Sequence, residues 1–342
     1  MAKLNRANSG LTLLVFLLLF SLGCKLNKQV DKKVAKQKPA VQSLSFAYQT
    51  ITGIGLDSLY NRRDNSDIIK VGNTYYVWYT RMDSPVTSGY WGTIWYATST
   101  DEGFTWKEQG MALDLGEKGA FDSHSVFTPN ILVKNGKYYL YYTGVKPTEG
   151  NVNNEFEGNS TNDFTAIGLA VADGPNGPFV RVKDNPVLSI SERAEDFDSY
   201  RVDDASLLHK EGKVWFYYKG RSMSHGKEGP KLTQMGVATA DKPEGPFVKN
   251  SEPILDKSHE VLIWAEDGGV SSLASFSQSI YSAAEGLNFS PLYQNLENIP
   301  KAPGLYRPSL TNSSKSDAEN WGVAMVQKNR QTYLVRFEMK ID

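Results

Sequence analysis

The chain has 342 residues, 40% of them hydrophobic, one cysteine and a formal net charge of −1 at pH 7. Residues 1–43 carry eight Lys/Arg and one Asp, leaving 29 Lys/Arg against 37 Asp/Glu, a net charge of −8, for the rest. An acidic globular part argues against a nucleic-acid partner, because phosphate binding needs a basic face. A lone cysteine rules out an intrachain disulfide, so the fold must rest on its core, which a chain of about 300 residues can supply.

At the N-terminus, Lys3 and Arg6 precede an apolar run, Leu11 to Leu19. The run has the length of a signal-peptide core and is shorter than the roughly 20 residues of a spanning helix. It ends at Ser21-Leu22-Gly23-Cys24. A small residue and a cysteine directly after such a run resemble a bacterial lipobox, with Ser21 where a leucine is usual. Residues 1–23 are therefore expected to be a lipoprotein signal peptide and Cys24 the lipidated residue. The anchor would lie in the outer membrane, facing periplasm or cell surface; an ordinary secretory signal is the alternative. Residues 24–43 are Lys-rich and Gly-free and are expected to form a disordered tether. Residues 44–342 form the folded domain.

From Leu44 onward, short runs rich in Tyr, Val, Ile, Phe and Trp alternate with Gly, Asn, Asp and Pro clusters, the pattern of an all-β fold. The runs repeat. RDNSDIIKVGNTYYVWYTR (Arg63 to Arg81), HSVFTPNILVKNGKYYLYYTG (His124 to Gly144) and YRVDDASLLHKEGKVWFYYKG (Tyr200 to Gly220) are each strand, Gly turn and strand. The last two align without a gap, and both follow Phe-Asp-Ser. A second hairpin follows each: AIGLAVADGPNGPFVRVKDNPVL (Ala166 to Leu188) recurs as QMGVATADKPEGPFVKNSEPIL (Gln234 to Leu255), with a diverged copy at Gly92 to Gly110. Two hairpins per unit make one four-stranded propeller blade. The expected blades cover Ser58 to Asp114, Phe121 to Leu188, Phe197 to Leu255, a fourth from His259, and a fifth from Arg307 to the C-terminus. Leu44 to Thr50 would close the ring on the last blade. The fold class is all-β, a five-bladed β-propeller; a β-sandwich is the alternative that the gap-free repeat disfavours.

Innermost strands line a propeller's channel, so equivalent positions converge on one pocket. Eight residues before the turn glycine stand Asp64 (Gly72), Thr128 (Gly136), Asp204 (Gly212) and, with Gly268 as the turn residue, Glu260. In blade five, Arg307-Pro308-Ser309 resembles Thr128-Pro129-Asn130 and puts Arg307 in the same place. Three carboxylates crowded together raise at least one pKa, the condition for an acid to stay protonated near neutrality. One carboxylate activating water and one protonated group donating to a leaving oxygen is the requirement of glycoside hydrolysis. Asp203 and Asp204 are strand neighbours expected to point opposite ways; the register selects Asp204 for the channel. Lys219 and Arg221 end a strand expected to reach the rim, where they, or Arg307, could hold sugar hydroxyls. Trp91, Trp95 and Trp264 are candidate stacking platforms. His225 lies in the Gly-rich Ser222 to Pro230 stretch, which could border the pocket. Neither a metal nor a cofactor is required, since no clustered His/Cys/Asp spacing predicts a ligand set; a divalent cation in the channel stays compatible.

The segments RRDNSDIIKVGNTYYVWYT, FDSHSVFTPNILVKNGKYYLYYTG, YRVDDASLL, WFYYKGR, MGVATADKPEGPF and HEVLIW resemble the five-bladed glycosidases of the family 43 superfamily. They resemble above all glycoside hydrolase family 117, the exo-acting α-1,3-(3,6-anhydro)-L-galactosidases. The resemblance implies an inverting exo-enzyme acting on algal galactan oligosaccharides. It implies Asp64 as general base and a further acidic residue in Arg201-Val202-Asp203-Asp204. It also implies His259-Glu260 as the pair that contains the general acid, with the histidine proposed for that role in the family. His259 as acid and Glu260 as acid both stay open at this point. His124 falls in the second-blade motif and is expected to touch sugar. The family's N-terminal Ser-x-Ala-x-x-Arg motif, exchanged between subunits, is missing from Ser43 to Leu59, so a homodimer stays open. A family-43-type arabinosidase or xylosidase, and a non-catalytic sugar-binding lipoprotein, are the competing functions.

Overall fold

The computed structural model describes residues 43–82, 92–146, 164–266, 269–309, 320–329 and 331–341. Cys24, Trp91, Gly268 and the signal-like segment lie outside them, as does all of the tether but its last residue.

Four of the blades are continuous in sequence. Blade I holds Ile68–Val71, Thr74–Met82, Thr93–Ser99 and Lys107–Leu113, blade II Ser125–Lys134, Lys137–Lys146, Phe164–Ala172 and Val180–Arg181, and blade III Arg201–Lys210, Lys213–Arg221, Gln234–Ala240 and Val248–Lys249. Blade IV holds Leu262–Glu266, Gly269–Leu273, Ile280–Ala283 and Ser290–Tyr293. Blade V begins at Lys301–Arg307 and continues through Trp321–Lys328 and Gln331–Ile341. Its outer strand is Leu44–Thr50, antiparallel to Gln331–Ile341 with Leu44 opposite Ile341. The N-terminal strand thus closes the ring and covers an edge that would otherwise expose unpaired backbone. The fold is the expected all-β five-bladed propeller.

Alternating apolar residues on both faces of each sheet make five separate cores, one per junction between blades. Ile69, Trp78, Val126 and Leu140 pack blade I on II; Leu132, Tyr141, Leu207 and Phe216 pack II on III. Leu208, Tyr217, Ile263 and Val270 join III to IV, Leu262, Trp264, Leu305 and Phe337 join IV to V, and Ile68, Val77, Tyr306 and Val323 join V to I. Trp264 is therefore spent on the blade IV–V core and is not a stacking platform. Fully burying one large apolar side chain contributes roughly 1.5–3 kcal/mol, and these junctions consist of such residues.

The repeated Phe-Asp-Ser is explained by packing. Asp122 Oδ2 accepts from Tyr142 OH (2.8 Å) and Arg181 Nε (2.6 Å), and Asp198 Oδ2 accepts from Tyr218 OH (2.9 Å) and Lys249 Nζ (2.6 Å). Each Phe stacks on that Tyr at 6.1 Å. A Cβ at Gly144 or Gly220 would meet the ring of Phe121 or Phe197 at 2.5 or 2.7 Å. The motif ties inner and outer strands of a blade together, and neither its Phe nor its Asp lines the pocket. Blade I reaches the same end with the charge carried differently: Glu108 accepts from Tyr79 OH, Arg62 and Arg81.

Candidate active site

Each innermost strand begins with a distortion. Register shifts fall between Phe127 and Asn130, Asp203 and Ser206, and Lys301 and Gly304. One residue per blade at this level has left-handed backbone: Asp64 (φ 48°), Thr128 (46°), Asp204 (52°), Glu260 (57°) and Ala302 (42°). Left-handed backbone costs a non-glycine residue about 1–2 kcal/mol, and a bulge swings a side chain off the pleat. These five residues line one pocket, of about 330 Å³ with its open mouth, together with Asn65, Asn130, Ala205, Val261 and Pro303. The eight-residue ruler had therefore picked out the bulge position in blades I to IV.

In blade V it had not. Arg307 does not line the pocket. It is 3% exposed, donates to Asp67 Oδ2 (2.9 Å) and to the Ile263 carbonyl, and staples blades I, IV and V together. Ala302 takes the channel position, with Ala302-Pro303 matching Thr128-Pro129. Blade V can approach this closely because residue 304 is glycine: a Cβ there would lie 1.9 Å from the Ser66 carbonyl oxygen.

The three acids sit in different fields. Asp64 is 5% exposed and accepts from Arg63 Nε at 2.6 Å. Burial lifts its pKa above the ordinary Asp value, the Arg63 guanidinium opposes this, and the Asp204 charge adds to the rise. Glu260 Oε2 accepts from the Ala302 N–H (2.9 Å). Burial lifts its pKa too, followed by the Asp64 charge. Asp204 differs. Burial pushes its pKa up, but the Lys219 ammonium, His259 and bonds from Lys219 and the Glu260 N–H outweigh burial and hold it below the usual range. The site thus holds one acid whose pKa its neighbours lower and two whose pKa values burial raises, and environments that push carboxyl pKa values apart are what acid–base catalysis requires.

Asp203 and Asp204 do not diverge as strand alternation predicts, because the bulge lies between Asp203 and Ser206. Both reach Lys219 Nζ, at 3.1 and 2.6 Å. Lys219 is 3% exposed, so it is a buried bridge and not a rim residue. Its pKa is pulled down by burial, but the two carboxylates more than restore it and keep the ammonium charged. Two anions share one cation; Asp204 has the shorter bond, and burial lifts Asp203 to about 6. Arg221 is also buried, beside Arg201 across the strand pair, and both cations pull on Asp203. Neither Lys219 nor Arg221 lines the pocket.

Thr128 Oγ1 shares a hydrogen bond with Thr143 Oγ1 (2.6 Å) while its N–H donates to Thr80 Oγ1 (3.1 Å), tying blade II to blade I. His124 is half-buried just ahead of the blade II inner strand, its N–H on the Val145 carbonyl, and is not among the pocket residues. His259 precedes Glu260, stacks on Phe276 and lies close enough to lower the Asp204 pKa, but the pocket wall itself is Glu260. Trp95 is covered by the Arg81 guanidinium 3.6 Å above its ring. His225 lines a separate cleft on blade III with Arg193 and Glu252. Arg63 and Asn65 are site residues that register reading passed over; their signal was adjacency to Asp64. Among the described residues no group of three or more His, Cys, Asp or Glu is arranged to hold a metal ion.

Residues 59–228 match the model of glycosyl hydrolases family 43. The fold resembles Zg3597, a family 117 glycoside hydrolase produced by the marine bacterium Zobellia galactanivorans, with a TM-score of 0.73 and 28% identity over 86% of this chain and 90% of that one. Xylosidase/arabinosidase 43A of Humicola insolens is 30% identical over 147 residues, 41% of this chain. An extracellular endo-α-(1→5)-L-arabinanase of Thermotoga petrophila is 28% identical over 165 residues, 44% of this chain. The chain spans 40% and 32% of the lengths of these two enzymes. The chain is thus a five-bladed propeller similar to glycosyl hydrolases family 43 across its first blades and to a family 117 glycoside hydrolase over nearly its whole folded part, a likeness that indicates a glycosidase.

Proposed function

We propose that the protein is an exo-acting, inverting α-glycosidase that removes a terminal sugar of the 3,6-anhydro-L-galactose type from algal galactan oligosaccharides. The observation that carries this reading is the convergence of Asp64, Asp204 and Glu260, from three blades, on one small pocket. A pocket of that size suits the end of a chain and not its middle. Asp64 is the base that activates water. Glu260 is the acid: burial and then the Asp64 charge raise its pKa, whereas at Asp64 the Arg63 guanidinium, 2.6 Å away, opposes the rise and favours the anion a base needs. Asp204, kept anionic by Lys219 and hydrogen-bonded to the Glu260 N–H, fixes the acid in place. The likeness to a family 117 enzyme supports the terminal sugar.

Product analysis on neoagaro-, carrageenan and porphyran oligosaccharides and on aryl glycosides tests the proposal. One terminal sugar per chain with inverted anomeric configuration is expected. Glu260→Gln should lose turnover while His259→Ala keeps a measurable part of it. Retention by Glu260→Gln together with loss in His259→Ala would move the acid to His259. The match to a xylosidase/arabinosidase supports a second reading, activity on aryl arabinofuranosides or xylosides, and the same panel decides between the two. No turnover on any substrate would leave a sugar-binding protein.

The proposal also places the enzyme on a lipid anchor at Cys24, at the outer membrane, on the strength of the apolar run ending at Gly23-Cys24. Labelled fatty acid should enter the wild-type chain in a bacterial host and be absent from Cys24→Ala; equal labelling of both would overturn the anchor.

A further inference from the structure

Phe276 is 43% exposed. It lies between the second and third strands of blade IV. Second strands run back toward the pocket end of each blade, so this connection lies on the pocket face. The ring stacks on the His259 imidazole with centroids 4.7 Å apart and planes 13° from parallel. The neighbouring residue secures the same histidine by its backbone: the Ser275 N–H and Oγ both donate to the His259 carbonyl, each at 2.9 Å. The segment that presents Phe276 is itself fixed, with Ser277 Oγ donating to the Ala274 and Ser279 carbonyls at 2.8 and 3.0 Å. His259 in turn acts on Asp204, which holds the Glu260 N–H at 3.1 Å. The stacked histidine thus directly precedes the pocket acid Glu260, whose N–H the Asp204 carboxylate holds.

We infer that Phe276 is a positioning residue: its ring fixes the His259 imidazole against the Asp204–Glu260 pair and so sets the geometry of the acid. An imidazole has several rotamers to choose from, and the aromatic face of Phe276 selects one. Phe276 is not a pocket-lining residue, so its action runs through His259. The kinetic part of this inference rests on the glycosidase reading; the placement of the imidazole does not.

The test compares Phe276→Leu, Phe276→Tyr and wild type. The chain has four histidines, so selectively labelled imidazole signals are few enough to follow by NMR. In the wild type, the His259 ring protons should be shifted upfield by the Phe276 ring current. Phe276→Leu should abolish that shift and Phe276→Tyr should keep it. On a substrate that the wild type turns over, Phe276→Leu should lower kcat by about 10- to 100-fold, the cost of a small misplacement near the chemistry, with KM little changed, and Phe276→Tyr should restore kcat. An unshifted His259 in the wild type would overturn the inference whether or not any substrate is found. A loss confined to KM and growing with the size of the leaving group would overturn it too, making Phe276 a sugar contact instead. Absence of wild-type turnover counts against the glycosidase reading and leaves the NMR result to decide the positioning.

Discussion

Asp64→Asn is expected to lower kcat by about 10²–10⁴-fold, the usual contribution of a positioned general base, with KM little changed. An amide cannot take the proton from the attacking water, yet it keeps the size of the carboxylate and can still accept the 2.6 Å bond from Arg63. A loss of kcat without loss of binding marks an interaction needed only in the transition state. The wild-type pH profile carries the same information. Burial raises the Asp64 pKa above the ordinary Asp value near 3.9, with Arg63 opposing and Asp204 adding to the rise. The base must be ionised, so kcat/KM should fall as the pH drops through a value higher than the ordinary Asp pKa. Single-turnover rates of the variant and a kcat/KM profile of the wild type are the measurements. A variant within a few-fold of wild type would move the base elsewhere.

Lys219→Met should damage both stability and activity. Its ammonium is the shared partner of Asp203 and Asp204, and all three are buried. Removing one member of a buried ion pair costs about 3–5 kcal/mol, because the remaining charge has no water to return to. The direction with pH follows from linkage. In the wild type, the Asp204 pKa lies below its unfolded value, so its contribution is present above that unfolded value and lost as the pH falls through the folded pKa. In the variant, both carboxylates should have folded pKa values above the unfolded ones, so its stability declines as pH rises through that interval. The gap between wild type and variant should be widest near pH 8 and narrow toward pH 4. Denaturant unfolding at the two pH values reads this; a small gap equal at both would mean that the bridge contributes little. Activity should fall as well, since Asp204 would no longer be held as an anion beside Glu260.

Much of the fold was legible because a propeller repeats a local unit. Each blade hairpin has short strands and a tight turn, so a turn glycine and the residue eight positions before it keep a constant separation. That is why Asp64, Thr128 and Asp204 could be aligned from the chain alone. Glu260 followed once Gly268 was taken as the turn, and the prediction that Leu44 to Thr50 closes the ring held for the same local reason. The ruler failed in blade V, where position 310, eight after Ala302, is Leu and not Gly. A resemblance between Pro-containing triplets then pointed to Arg307, five residues too far along.

Three features belong to the tertiary structure. The bulge that brings Asp203 and Asp204 to one lysine leaves no mark in the sequence, because the same left-handed backbone recurs at Thr128, Glu260 and Ala302, residue types with no preference for it. Whether a tryptophan stacks on a ligand or fills a core depends on which blade faces it, and Trp264 faces blade V. Phe276 is close in sequence to nothing that marked it, and only the return of a blade IV strand lays its ring on His259. The amino-acid sequence by itself determined the blades, their number and, in blades I to IV, the level at which a side chain meets the channel, since these follow from local period and turn spacing. Which carboxylate keeps its charge, which cation is buried between two acids and which ring holds the histidine were decided only when five blades closed around one axis, because burial and charge proximity are properties of the closed ring.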